Sequence, residues 1–180
     1  MNITQTAIPG VLLLEPEVFV DQRGLFYESF SSRRFKELTG VTAEFVQDNV
    51  SLSAQNVLRG LHYQIHQPQG KLVQVIAGEV FDVAVDLRRS SPTFGCWTGA
   101  ILSAENRLQQ WIPPGFAHGF VVTGANAEVH YKTTDYYAPA YERCIIWTDP
   151  VIGIRWPELP VILSDKDIAG LPLKISDLFE

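Results

Sequence analysis

The segment LRGLHYQIHQPQGKLVQVIAGEV, residues 58–80, crowds Arg59, His62, Gln64, His66, Gln69 and Lys71 into a run that otherwise reads as apolar strand. A core strand has no use for so many donors and charges. The cluster is therefore a metal site, an acid–base site or a wet sheet edge. Three histidines offer themselves as metal ligands: His62, His66 and His118, the last in PPGFAHGF after a Pro-Pro-Gly turn. Extended chain separates His62 from His66 by roughly 13 Å at about 3.3 Å per residue, too far to share one ion. A lysine at position 71 would repel a divalent cation and offers no lone pair while protonated. Neither a metal centre nor a cofactor is expected.

Proton transfer is the chemistry that fits these residue types. Histidine takes up a proton near neutral pH without elaborate tuning. Lys71 and Arg59 can face a developing oxyanion, where preorganised positive charge counts most. Tyr131, in EVHYKTTDYY, can return a proton as an acid. Base, enolate stabiliser and acid are the parts that proton abstraction beside a ketone requires. The same residues also suit a satisfied strand histidine, solvated cations and core tyrosines, and spacing alone leaves both readings open.

Strands are the elements that must position these groups. Short apolar or alternating runs recur between turn signals: VLLLEPEVFV, GLFYESF, KLVQVIAGEVFDVAVDL, WTGAILS, QQWIPPG, HGFVVTG, AEVHYKTTDYY and ERCIIW. In GEVFDVAVDL, Phe81, Val83, Val85 and Leu87 share one face, with Val80, Asp82, Ala84 and Asp86 on the other. IHQPQG, with its Pro and Gly, reads as a turn. SSRRFKELTG predicts a helix with Ser32 as N-cap and Gly40 as its end, and SDKDIAG predicts a second, short one. Many short strands without linker or repeat predict one all-β domain over residues 1–180, a sandwich or jelly roll with its function on the inner wall or mouth.

The bulk composition agrees. A chain of 180 residues with 46% hydrophobic content can fill a core. Its net charge of −6 gives no reason to expect nucleic acid or an anionic membrane as partner. Two cysteines, Cys96 and Cys144, are too few for a disulfide framework. The N-terminal VLLL run is too short for a signal peptide, and no run approaches a membrane span, so a cytoplasmic location is expected.

The succession G-L-H-Y-Q-I-H, K-L-V-Q-V-I-A-G-E-V and P-P-G-F-A-H resembles the two motifs of the cupins. Gln64 stands where the second histidine of a cupin pair would be, and Lys71 where the metal-binding glutamate would be. The larger set LRGLHYQ, QGKLVQVIAGEVFDVAVDLR, SPTFG, IPPGFAHGF, YKTTDYY and SDKD resembles the dTDP-4-dehydrorhamnose 3,5-epimerase family. The likeness runs from IPGVLLLEP to SDKD. It implies a metal-free cupin-like jelly roll that forms a homodimer. The implied reaction converts dTDP-4-dehydro-6-deoxy-D-glucose to dTDP-4-dehydro-L-rhamnose, the precursor of dTDP-L-rhamnose, by epimerisation at C3 and C5 beside the C4 ketone.

Residue by residue, the resemblance makes His62 the general base, Tyr131 the acid on the opposite face and Lys71 the enolate stabiliser. Asp167, or Asp165 two residues away, is implied as the carboxylate that supports His62. For substrate binding it points to Arg23 and Glu28 of DQRGLFYE, to Gln47, Asp48 and Asn49, and to Arg59, Lys71, His118, Tyr137, Glu142 and Lys166. Arg23 and Arg59 suit a diphosphate in an acidic protein. In the family the DQRGLFYE segment enters the partner subunit's site, so each site is expected to be completed by the other subunit. His66 and His130 are expected to be structural or solvent-facing. A mono-epimerase at C3 or C5 of another dTDP-deoxysugar, and a non-catalytic sugar-nucleotide-binding module, are the alternative readings.

Overall fold

The computed structural model describes residues 1–180. Strands β1 (Asn2–Gln5) and β2 (Leu12–Glu15) pair antiparallel at one sheet edge. The VLLLEPEVFV run is then cut at Pro16, which has no N–H to give a ladder. Beyond it β3 (Val18–Asp21) and β4 (Gly24–Tyr27) form a separate two-stranded hairpin. The first helix, α1 (Ser32–Thr39), is capped by Ser31, whose side chain accepts from the Arg34 N–H, and not by the expected Ser32. Gly40 ends it in the left-handed conformation, as expected.

The remaining strands are β5 (Gln47–Ala54), β6 (Leu58–Gln64), β7 (Lys71–Asp86), β8 (Trp97–Ser103), β9 (Gln109–Ile112), β10 (Phe116–Thr133) and β11 (Glu142–Cys144). Helix α2 (Asp165–Ile168) follows. HGFVVTG and AEVHYKTT, two runs in the sequence, are the two halves of β10. The long strands β7 and β10 pair antiparallel from Lys71↔Thr133 to Asp86↔Phe116. At one end they are flanked by β9 and β5, at the other by β8 and β6, with β11 beyond β6. Between the halves the register slips from Val122 to Ala127, and Gly78 sits at φ +76. A Cβ at Gly78 would stand 1.8 Å from the Asn126 carbonyl oxygen, so only glycine lets the two strands bend together here.

That bend folds the nine-stranded sheet on itself, the antiparallel jelly roll expected from the strand rhythm. Val73, Val75, Val80, Ala84, Phe116, Phe120, Val122 and Val129, drawn from both halves of β7 and β10, bury one core between the layers. Val83, Val85 and Leu87 pack on the other side of β7 with Leu61, Tyr63 and Ile145. Both faces of this strand are therefore covered, in the alternation that GEVFDVAVDL predicts. Phe35 of α1 anchors a third cluster with Leu14 and Trp111. No helix is long and apolar enough to cross a membrane.

Candidate active site

Strand alternation carries a polar set onto the inner wall of the sandwich. Lys71 shares a face of β7 with Val73, and Asp82 lies between Val80 and Ala84 on the inward side. His118 alternates with Phe116 and Phe120, and Tyr131 follows Val129. On β6 simple alternation would send Arg59 and His62 to opposite faces. A bulge prevents this: His62 pairs with His118 while Arg59 pairs with Phe120, so Gly60 and Leu61 of β6 together oppose Gly119 of β10. Arg59 and His62 therefore share the inner face. Gly60, at φ +121, would place a Cβ 2.5 Å from the Gly119 Cα, and the two glycines let the strands close at the bulge.

The result is a cavity of about 360 Å³. Of the expected residues, His62, Lys71, Tyr131, Arg59, Gln47, Asn49, His118, Tyr137, Glu142 and Lys166 line it. Asp167 lies directly behind His62, 3% exposed, with its Oδ1 2.7 Å from the imidazole Nε2. This short contact is off the N–H direction, since Nε2 is buried without an aligned hydrogen-bond partner. The aligned bonds to the carboxylate come from Ser164 Oγ at 2.6 Å and the Gly60 N–H at 3.1 Å. Burial alone would raise the Asp167 carboxyl, but His62, Ser164 and Gly60 outweigh it and hold it down to about 2. Asp165, the other candidate, is exposed on α2 and makes no contact with His62. Nε2 being turned to Asp167, Nδ1 is the ring nitrogen left for the cavity.

Lys71 is 9% exposed, and burial lowers its ammonium to about 8 against the pull of Asp82 and Glu142. Its Nζ reaches the His62 carbonyl at 3.5 Å. Asp82 is fully buried, and its Oδ2 lies 2.7 Å from His118 Nε2. Burial raises the Tyr131 phenol above its ordinary value, with Arg59 opposing. Glu142 accepts from the Tyr137 hydroxyl at 2.8 Å and pairs with Lys166. Burial would raise Glu142, but Lys166 and Tyr137 bring it below its ordinary value. Arg59 donates from Nε to Ser53 Oγ at 2.9 Å, which aims the guanidinium along the cavity wall.

Three expected residues lie elsewhere within this subunit. Asp48 falls between Gln47 and Asn49, so strand period turns it outward, where it meets Lys132 Nζ at 2.9 Å. Arg23 stands at the tip of the β3–β4 hairpin, paired only with Asp21. Glu28 follows that hairpin and contacts Arg34 at 3.6 Å. His66 is exposed against the Tyr141 ring, and His130 bonds Gln74, away from the cavity, in keeping with their structural reading. His62 and His66 do not meet.

The cavity also holds residues not expected as site residues: Ser51, Tyr63, Gln64, Gln69 and Phe120. Gln64 and Gln69 fasten the loop that carries Tyr137, through the Tyr136 and Asp135 carbonyls and the Ala138 N–H. Ser51 continues the inward alternation of Gln47 and Asn49, a signal that strand period alone supplies. Cys144, the cross-strand partner of His62, forms with His62 and Asp167 the one three-donor group whose ligand atoms lie within 4.8 Å. Burial, with the charge of Asp167 beside it, pushes its thiol up to about 12. These are not the histidines that a metal reading of the sequence would gather.

Residues 5–174 match the family model described as dTDP-4-dehydrorhamnose 3,5-epimerase. The chain is 59% identical over 181 residues to the dTDP-4-dehydrorhamnose 3,5-epimerase of Pseudomonas aeruginosa, covering 99% of each chain. It is 56% identical over 180 residues to that of Shigella flexneri, again covering 99% of each. Among solved structures it resembles the dTDP-6-deoxy-D-glucose-3,5-epimerase of Legionella pneumophila, in complex with dTDP-4-keto-L-rhamnose. That match has a TM-score of 0.95 at 56% identity and covers 97% of this chain and 93% of the other.

Proposed function

This chain belongs to the dTDP-4-dehydrorhamnose 3,5-epimerase family and is an isomerase, and from that premise we propose how its residues perform the reaction. The substrate is dTDP-4-dehydro-6-deoxy-D-glucose, and inversion at C3 and C5 yields dTDP-4-dehydro-L-rhamnose for dTDP-L-rhamnose synthesis. His62 is the base. The observation that carries this reading is the His62 imidazole set between a buried carboxylate and an open cavity that Lys71 and Tyr131 also line.

Asp167 orients the ring and favours the imidazolium once Nδ1 has taken the proton from C3 or C5, the logic of a positioned base. Electrons from the broken C–H bond move to the C4 oxygen, where the Lys71 ammonium meets the enolate charge inside a largely dry wall. Tyr131 then delivers its phenol proton to the carbon from the opposite face, inverting it. A second round acts on the other carbon, and solvent restores the protonation of both side chains. Arg59 takes the diphosphate, and Gln47, Asn49, His118, Tyr137, Glu142 and Lys166 hold the rest of the substrate.

Arg23 and Glu28 enter this scheme through a second subunit. The β3–β4 hairpin leaves Phe19, Val20, Leu25 and Phe26 exposed and holds Arg23 at its tip. In a homodimer it reaches the partner's cavity and supplies the guanidinium there. We place the enzyme in the cytoplasm as one catalytic domain; the free Cys96 and Cys144 suit a reducing compartment.

The decisive experiment incubates the protein with dTDP-4-dehydro-6-deoxy-D-glucose in D₂O and counts deuterons at C3 and C5 by NMR and mass spectrometry. Exchange at both carbons is expected, and exchange at one would make this a mono-epimerase. His62→Asn is expected to lower turnover by about 10² to 10⁴-fold while leaving dTDP affinity within a few fold. Undiminished turnover in that variant removes His62 as the base.

A further inference from the structure

Cys144 has no part in this proton transfer, yet it stands against the base. Pairing of β11 with β6 sets it opposite His62, and the donor atoms of His62, Cys144 and Asp167 lie within 4.8 Å of one another. None of the three is a loose surface group, Asp167 being buried and the other two half-buried. His62 Nε2 is buried without an aligned partner, and the thiol reaches only a 3.6 Å contact with the Ile145 carbonyl. Two donors of the cluster are thus poorly satisfied by the protein itself.

Imidazole, thiolate and carboxylate are the ligand types of zinc, and three protein donors with one open position make an exchangeable site. An ion at about 2.0 to 2.3 Å from each donor needs them about 3 to 4 Å apart, so the His62–Asp167 contact, now 2.7 Å, must open by about 0.5 Å while the sulfur moves in by about 1 Å. Side-chain torsion of Cys144 and Asp167 covers both movements. A second cavity of about 320 Å³, lined by Cys144 and Leu171, adjoins the first and shares Tyr63, Glu142 and Lys166 with it. The cluster is therefore approached from two sides. Lys71 and Lys166 oppose a cation, but Asp82 and Glu142 offset them, which leaves Asp167 to set the local charge.

We infer that His62, Cys144 and Asp167 form an inhibitory site for a thiophilic divalent cation such as Zn²⁺. On binding, the metal–sulfur bond replaces the S–H bond and the thiol proton leaves to solvent. The bound imidazole has lost its supporting carboxylate to the ion, and the base is out of action. Only this inhibitory effect rests on His62 as the base; the binding does not.

The test titrates Zn²⁺ into the full-length wild type, Cys144→Ser and Cys144→Ala while epimerisation is followed. Separately, Co²⁺ is titrated into each and the near-ultraviolet thiolate-to-cobalt absorption is read. Metal-free turnover is expected to be equal in all three. The Zn²⁺ midpoint is expected to rise by about tenfold or more in both variants, as when one of three protein donors is removed. The cobalt band is expected in the wild type alone. Equal zinc sensitivity in all three proteins, or a wild type without the cobalt band, overturns the site. A failed substrate assignment shows instead as no turnover before metal is added, and leaves the cobalt readout standing.

Discussion

At the scale of single residues, the site works by giving three ionisable groups different surroundings. Asp167 is held down to about 2 against its own burial, so it stays anionic behind His62 at every working pH. Burial raises the Tyr131 phenol, which keeps its proton until a carbanionic carbon takes it. Tyr131→Phe is therefore expected to leave solvent exchange running while net epimerisation falls by about 10² to 10⁴-fold. His62 still removes protons in that variant, but returns deuterons to the face they came from. NMR of the recovered sugar in D₂O reads both. Burial also brings Lys71 down to about 8 from 10.5. In the proposed mechanism the ammonium is the form that stabilises the enolate, so kcat is expected to fall as pH rises through about 8. Lys71→Arg, charged throughout, is expected to lose that alkaline limb, and a limb that persists in it belongs to another group.

At the scale of elements, the β6–β10 bulge decides which side chains meet. His62 and Arg59 are three residues apart, and only the extra residue between them puts base and guanidinium on one wall. The bulge depends on Gly60, whose φ of +121 and contact with Gly119 exclude a side chain. Gly60→Ala is expected to cost about 2 to 4 kcal/mol in urea unfolding, from left-handed strain and overpacking combined. The variant is also expected to lose turnover, because the His62 ring moves off Asp167. Stability lost without any change in kcat would show that the bulge serves packing alone. Period-2 alternation acts on β5 in the same way, turning Gln47, Asn49 and Ser51 inward and Asp48 outward.

At the scale of the whole molecule, the cavity is lined on one subunit, while Arg23 and the apolar side chains around it face away. Phe26 is 70% exposed and Val20 77%, a patch that a lone subunit has no reason to present. Light scattering is expected to give a dimer mass. Phe19→Ser with Phe26→Ser is expected to shift it toward monomer and to weaken dTDP binding, since the partner's Arg23 goes with the hairpin. A monomeric wild type that turns over normally would remove the shared site.

Much of this was legible in the amino-acid order because it depends on local periodicity and residue chemistry. The strand rhythm, the two faces of GEVFDVAVDL, the turn at IHQPQG and the helix ending at Gly40 all follow from neighbours in the chain. So does the argument that His62 and His66 cannot share an ion. The tertiary structure alone decided what depends on register between distant strands. It chose Asp167 over Asp165, through a contact 105 residues from His62 in sequence. It placed Cys144 opposite His62, turned Asp48 away, and brought Arg59 to the inner wall through a bulge whose only sequence trace is a pair of glycines, Gly60 and Gly119. A one-residue slip between strands reverses every facing side chain, and no pattern within a single strand encodes that slip.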